Sequence, residues 1–146
     1  MRIAVASDHA GFNLRNAIAE HLRGQGHDVV DLGTETAESV DYPDYGEAIG
    51  RSVAAGDVER GVAVCGSGIG ICMAANKVAG IRAATVHDVT SARLTRLHND
   101  ANIMCVGERF IGEQTALDAV DAFITGEFEG GRHARRVDKI GGIDPT

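Results

Sequence analysis

Apolar positions along this chain fall into two alternating patterns: short unbroken runs, and spacings that put one face of a helix inward. The run Ile3-Ala4-Val5-Ala6 reads as a buried strand. Over residues 13–25, Leu14, Ala17, Ile18 and Leu22 fall at i, i+3, i+4 and i+8, one helical face, and Gly24 and Gly26 end it. Val29-Val30-Asp31-Leu32 predicts a second strand, and residues 45–55 a helix with Ala48, Ile49, Val53 and Ala54 inward. A third strand covers residues 61–65 and a helix residues 69–78. Ala83-Ala84-Thr85-Val86 is the fourth strand, followed by a helix over residues 89–97. Ile103-Met104-Cys105-Val106 is the fifth, followed by a helix over residues 114–124 and a last turn or two over residues 134–139.

Strands that are apolar throughout are covered on both faces, as in a parallel sheet sandwiched by helices. The expected fold is therefore a single-domain, doubly wound, five-stranded parallel α/β sheet, Rossmann-like, with right-handed crossovers and a C-terminal helix. No linker, repeat or composition break divides residues 1–146, which read as one domain. In such folds ligands sit beyond the C-terminal ends of the strands, so the residues just after each strand carry the interest.

Composition narrows the partners. Fourteen Lys and Arg against 21 Asp and Glu give a net charge of −7, which argues against wrapping nucleic acid. No stretch approaches the ~18 apolar residues of a membrane span. The first residues read as a strand and lack the pattern of a signal peptide, so a cytoplasmic location is expected. Three cysteines without a CxxC pair argue against a disulfide framework and a zinc knuckle.

Asp8 and His9 follow the first strand. A carboxylate beside an imidazole can hold sugar hydroxyls or move a proton. The dipeptide alone favours a plainer reading, a helix N-cap by Asp8 with a surface His9. After the third strand comes Cys65-Gly66-Ser67-Gly68-Ile69-Gly70, then a helix. Its N–H groups can converge on an anion. It is not the GxGxxG fingerprint, because position 71 is Ile, nor a P-loop, because Lys-Ser/Thr is absent. A thiol at such a helix start is a candidate thiolate, against the commoner fate of a buried inert cysteine. Cys72 and Cys105 are assigned to packing.

His98 and Asn99 follow the fourth helix and admit two readings. One is an acid–base group with a hydrogen-bond donor; the other is a helix C-cap with Asn in the left-handed region. His9, His98 and Asp100 lack metal-ligand spacing, and no metal is expected. Arg132 and Arg136, four apart, put two guanidinium forks on one helix face, suited to a phosphate dianion or else a solvated basic tail.

Taken together, Asp8-His9-Ala10-Gly11, residues 40–45, the Cys65 to Gly70 loop, Ala74-Ala75-Asn76-Lys77, residues 98–102 and Arg132 with Arg136 resemble ribose-5-phosphate isomerase type B. That aldose–ketose isomerase family also holds galactose-6-phosphate and allose-6-phosphate isomerases. The resemblance implies Cys65 as the base moving a proton between C1 and C2. It implies Gly66, Ser67, Gly68, Ile69 and Gly70 as holders of the enediolate oxygens, with Ser67 keeping the hydroxyl where many relatives carry Thr. Asp8 and His98 would assist ring opening. His9, Arg109, Arg132 and Arg136 would take the phosphate, and Tyr42 and Asn99 would contact the sugar. Some members use a glutamate in the next helix turn as base; here that turn reads Ile71-Cys72-Met73, so the cysteine type is implied.

The expected function is interconversion of ribose 5-phosphate and ribulose 5-phosphate without a cofactor. The alternatives are the same chemistry on a four- or six-carbon aldose phosphate, or a non-catalytic nucleotide-binding module. Topology adds an expectation about assembly. The helix over residues 89–97 runs back from its strand, so His98 and Asn99 end at the sheet edge opposite Cys65. A shared site then requires two chains, a homodimer or a tetramer built from it.

Overall fold

The computed structural model describes residues 1–145. In chain order its elements are β1 (Arg2–Ser7), a 3-10 turn (His9–Gly11), α1 (Phe12–Gly24), β2 (Asp28–Asp31), α2 (Tyr42–Ala54) and β3 (Arg60–Cys65). There follow α3 (Ile69–Ala75), β4 (Ala83–Thr85), α4 (Val89–Asn99), β5 (Ile103–Gly107), α5 (Glu113–Thr125) and α6 (Arg132–Gly141). All strand pairs are parallel, in the order β2-β1-β3-β5-β4. The expected doubly wound sheet is the observed one.

Alternation along the central strands explains their continuous apolar runs. Ile3, Val5, Val62, Val64, Met104 and Val106 pack on one face with Leu14, Ile18 and Leu22 of α1 and Val120 and Phe123 of α5. Ala4, Ala6, Ala63, Ile103 and Cys105 pack on the other with Ile49 and Val53 of α2 and Ile71 and Ala75 of α3. Both sets have to be apolar because both faces are roofed. Each fully buried Ile or Phe contributes roughly 1.5–3 kcal/mol, so this double core dominates the stability of the fold.

Several boundaries differ from the sequence reading. Helix α2 starts at Tyr42, three residues early, behind Asp41 and with Pro43 in its first turn, where a missing N–H costs nothing. Its buried face is Gly46, Ile49, Gly50 and Val53, whereas Ala48 and Ala54 are exposed. The cause is close helix contact. A Cβ on Gly46 would lie 2.7 Å from the Ala74 Cβ and 2.8 Å from the Ile71 carbonyl oxygen, so α2 and α3 meet almost backbone to backbone. Helix α3 ends at Ala75, not residue 78, and α6 begins at Arg132 and runs to Gly141, longer than residues 134–139. Strand β2 is an edge strand, and its residues are half-buried or exposed.

The chain leaves β1 toward β2 on one side, while β3 lies on the other. That reversal opens a crevice beyond the C-terminal ends of β1 and β3, the usual ligand position in this architecture. Ser7 ends β1 and Cys65 ends β3, so Asp8 and the glycine loop face each other across it.

Candidate active site

The β1 side of the crevice is built around a buried carboxylate. Asp8 is 5% exposed, and its Oδ1 accepts the Gly11 N–H at 3.2 Å, capping the 3-10 turn. The cap reading is therefore correct, and Asp8 also lines the cleft. His9 is half-buried beside it. Its Nδ1 lies 3.1 Å from the Val40 N–H and 3.2 Å from the Val40 carbonyl oxygen. With its proton on Nε2 the ring accepts from that N–H; with a proton on Nδ1 it donates to that carbonyl instead. The loop before α2 thus holds the ring in either state.

The β3 side is a curled backbone. Cys65 is buried, and its Sγ accepts the Gly68 N–H at 3.1 Å. Gly68 has φ of +74°, and a Cβ there would stand 2.7 Å from the Val106 carbonyl carbon. Only glycine suits both the left-handed conformation and the contact. The loop is braced from β5: the Glu108 N–H donates to the Cys65 carbonyl at 2.9 Å and the Arg109 N–H to the Gly66 carbonyl at 3.1 Å. The Ser67 Oγ accepts the Ile69 N–H at 3.2 Å. The Tyr42 ring covers Gly70, where a Cβ would come within 2.6 Å of it, and the Arg109 guanidinium lies over Gly66.

These elements enclose a cleft of about 440 Å³. Asp8, His9, Tyr42, Cys65, Gly66, Ser67, Ile69, Gly70 and Arg109 all line it, and Gly68 sits in the same loop. Nine of the residues singled out from sequence therefore converge. Ala10 and Met73 also line it and were missed. Met73 is 64% exposed on α3, a surface position by its spacing, so no pattern marked it.

His98, Asn99, Arg132 and Arg136 do not line this cleft. His98 and Asn99 close α4, which runs antiparallel to β5 and ends at the opposite sheet edge. The left-handed residue of that helix end is Asp100, φ +48°, not Asn99. Its carboxylate is held by Arg96 at 2.9 Å and Arg82 at 3.2 Å. Asn99 lines a separate cleft of about 650 Å³ beside the edge strand β4. Arg132 and Arg136 are exposed on α6 and take part in no ion pair among the described residues. The Glu129 N–H bonds the Leu97 carbonyl at 3.1 Å, tying the start of α6 to the end of α4. One chain thus carries two half-sets of the expected residues, at opposite edges of its sheet.

The sole candidate metal cluster among the described residues is His98, Glu129 and His133, with ligand atoms within 4.8 Å of one another. The two imidazoles stack at 4.4 Å with an interplanar angle of 11°. Their lone pairs lie in near-parallel planes, so no ion can sit in the plane of both rings. Cys72 and Cys105 are buried in the core, as expected. The hydrogen bond between them brings the Cys72 thiol down to about 6, while that bond and burial push Cys105 well up. Neither lines the cleft, which leaves Cys65 as its thiol. No helix among the described residues is long and apolar enough to cross a membrane.

Residues 3–140 match the family described as ribose/galactose isomerase. The chain is 44% identical over 143 residues to ribose-5-phosphate isomerase B of Escherichia coli (strain K12), covering 98% of this chain and 96% of that one. It is 40% identical over 142 residues to D-erythrulose-4-phosphate isomerase of Pectobacterium atrosepticum (strain SCRI 1043), covering 97% and 93%. Among solved structures, Clostridium thermocellum ribose-5-phosphate isomerase B superposes with a TM-score of 0.97 at 52% identity, covering 98% of this chain and 97% of that one. These matches set aside the non-catalytic nucleotide-binding module.

Proposed function

The chain is an isomerase of the ribose/galactose isomerase family, and from that premise we propose that it interconverts ribose 5-phosphate and ribulose 5-phosphate at two sites shared across a homodimer. The observation that carries the chemistry is the position of Cys65: it lines a cleft at the ends of β1 and β3, and its sulfur accepts the Gly68 N–H.

Aldose–ketose isomerisation needs a base near C1 and C2, donors for the oxyanion and a group to open the sugar ring. The buried Asp8 carboxylate and the partner's His98 exchange the ring proton and release the open-chain aldose. The Cys65 thiolate then takes the C2 proton, the electron pair moves to the carbonyl oxygen, and an enediolate forms. The Ser67 hydroxyl and the N–H groups of residues 66–70 other than Gly68 and Ile69, which Cys65 Sγ and Ser67 Oγ accept, meet its oxygens. A proton passes from the C2 hydroxyl to the C1 oxygen, the Cys65 thiol returns its proton to C1, and the ketose forms with the thiolate restored. Substrate and product have the same overall oxidation state, so no redox cofactor is required.

The phosphate is held by His9 and Arg109 from one chain and by the partner's Arg132 and the partner's Arg136. Tyr42 and the partner's Asn99 contact the sugar. Two chains are needed because neither half-set reaches the other within one chain. Exposed Ile69 and Met73 at the cleft favour such an apolar contact, and a tetramer would pair two of these dimers. The two arginines answer the anionic substrate, while the net charge of −7 disfavours nucleic acid. Three unbridged cysteines suit the cytoplasm.

Replacement of Cys65 by Ala tests the reading. kcat should fall by ~10²–10⁴-fold, the usual worth of a general base, while a phosphorylated aldonic acid still binds in calorimetry. Near-normal turnover would remove Cys65 as base and turn attention to Asp8. A four-carbon substrate is the second reading, favoured by the D-erythrulose-4-phosphate isomerase relative. Ketose formation measured across four-, five- and six-carbon aldose phosphates decides between them.

A further inference from the structure

Outside the cleft, the most developed polar arrangement is the contact between the end of α4 and the start of α6. The His98 ring lies flat on the His133 ring, centroids 4.4 Å apart and 11° from parallel. His133 is 7% exposed, and its Nε2 is buried with no hydrogen-bond partner. The Glu129 carboxylate stands 3.7 Å away, beyond hydrogen-bond range. His133 belongs to the first turn of α6, whose entry is set by Gly130 and Gly131 at φ +66° and +57°. A buried polar ring without a partner carries a desolvation cost. Here the ring is held by backbone geometry and presents its flat face to one neighbour.

We propose that His133 is a positioning residue for His98: its stacked ring fixes the plane of the His98 imidazole and thereby aims it at the sugar bound in the partner subunit's cleft. The inference rests on the reading that His98 serves ring opening. Three observations support it. First, the His98 side chain is only half-buried, at the exposed end of a helix, where free rotation would spread its nitrogens over several directions. Stacking removes that freedom. Second, the stack favours at most one proton on the pair, since two imidazolium rings at 4.4 Å repel. Third, everything charged around His133 keeps it neutral except Glu129. Burial, then the facing His98 of α4, then Arg132, and lastly Arg136 on its own helix lower its affinity for a proton; Glu129 alone raises it.

The same helix presents Arg132 and Arg136, so a merely structural role for His133 would displace the phosphate clamp and raise KM. The positioning role acts on kcat. Three variants separate these outcomes in steady-state isomerisation of ribose 5-phosphate. His133→Ala should lower kcat about tenfold or more, with KM and the inhibition constant of inorganic phosphate within about threefold of the parent. His133→Phe keeps a flat ring without a titrating nitrogen, and it should recover most of that kcat. Its kcat profile should also lose one proton from the acid limb, the proton that His133 takes up as pH falls. His98→Asn is the reference. If His98→Asn turns over normally, the ring-opening reading fails and the positioning role falls with it. If His98→Asn is impaired but His133→Ala retains its kcat, the positioning role alone fails. It also fails if His133→Ala raises KM with kcat unchanged, or if Phe recovers no more than Ala. Should His133→Ala not fold, the Phe variant decides through its acid limb: a limb identical to that of the parent overturns the proposal.

Discussion

Subunit complementation tests the shared site most directly. Six residues of β3 at about 3.3 Å each make the sheet close to 20 Å from edge to edge. Helix α4, eleven residues long at about 1.5 Å each, spans about 16 Å of the return path. His98 therefore sits at the far edge from Cys65, well beyond the reach of one imidazole side chain. Two inactive parents, Cys65→Ala and His98→Asn, can be dissociated, mixed in equal amounts and reassembled. Random pairing makes half the dimers mixed. Each mixed dimer holds one site with both lesions and one with neither, so it should work at half the parental rate. The mixture as a whole should recover about a quarter of wild-type activity. One tagged parent allows mixed dimers to be counted by native mass spectrometry, and recovered turnover should track that count. Mixed dimers in the expected proportion without recovered activity would refute the shared site. So would an active monomer.

Arg132→Ala and Arg136→Ala should each raise KM for the phosphorylated sugar about ten- to hundredfold, from loss of a charge-assisted hydrogen bond worth roughly 1.5–3 kcal/mol. Arg135→Ala, whose side chain projects about 100° away from that of Arg136, should change KM little, and equal small effects at all three positions would make the cluster a solvated tail. Gly68→Ala combines a left-handed backbone at +74° with a 2.7 Å approach to the Val106 carbonyl carbon, so it should cost roughly 2–5 kcal/mol in denaturant unfolding and lower kcat as well. His133, held by burial below the ordinary value of 6.5, gives stability that is complete above that value and declines as pH falls below it. Tm should therefore drop on acidification from pH 7 toward pH 5 by more in the parent than in His133→Phe, and equal drops would refute the assignment.

The fold was legible because two independent periodicities agree. Unbroken runs such as residues 3–6 and 103–106 demand a sheet covered on both faces, and i, i+3, i+4 spacings such as Leu14, Ala17 and Ile18 supply its covers. The glycine loop was legible for a related reason: three alternating glycines between a strand and a helix mark a backbone that curls and is closely approached, here by Arg109, Val106 and Tyr42. Glycine also hid structure. The inward face of α2 is half glycine, at Gly46 and Gly50, and a hydrophobicity pattern cannot register a face defined by close approach. Met73 escaped because its spacing marks a surface position, and only the folded crevice turns that surface into a wall of the cleft.

What the sequence determined alone was local: the strand ends, the donor loop, the thiol before it and the antiparallel return of each helix. The opposite placement of His98 and Cys65 followed from that return. Which chain neighbours meet across space was decided only by tertiary structure. Val40 reaches His9 across 31 positions, and Glu108 and Arg109 brace the Cys65 loop from β5. His98 stacks on His133 across the α4–α6 contact, and Tyr42 closes over Gly70. Such contacts depend on the sheet order β2-β1-β3-β5-β4, which sets β5 beside β3 although β4 comes between them in the chain. Periodicity fixes which face of an element turns inward; strand order fixes what that face meets, and the order is settled by packing the whole chain at once.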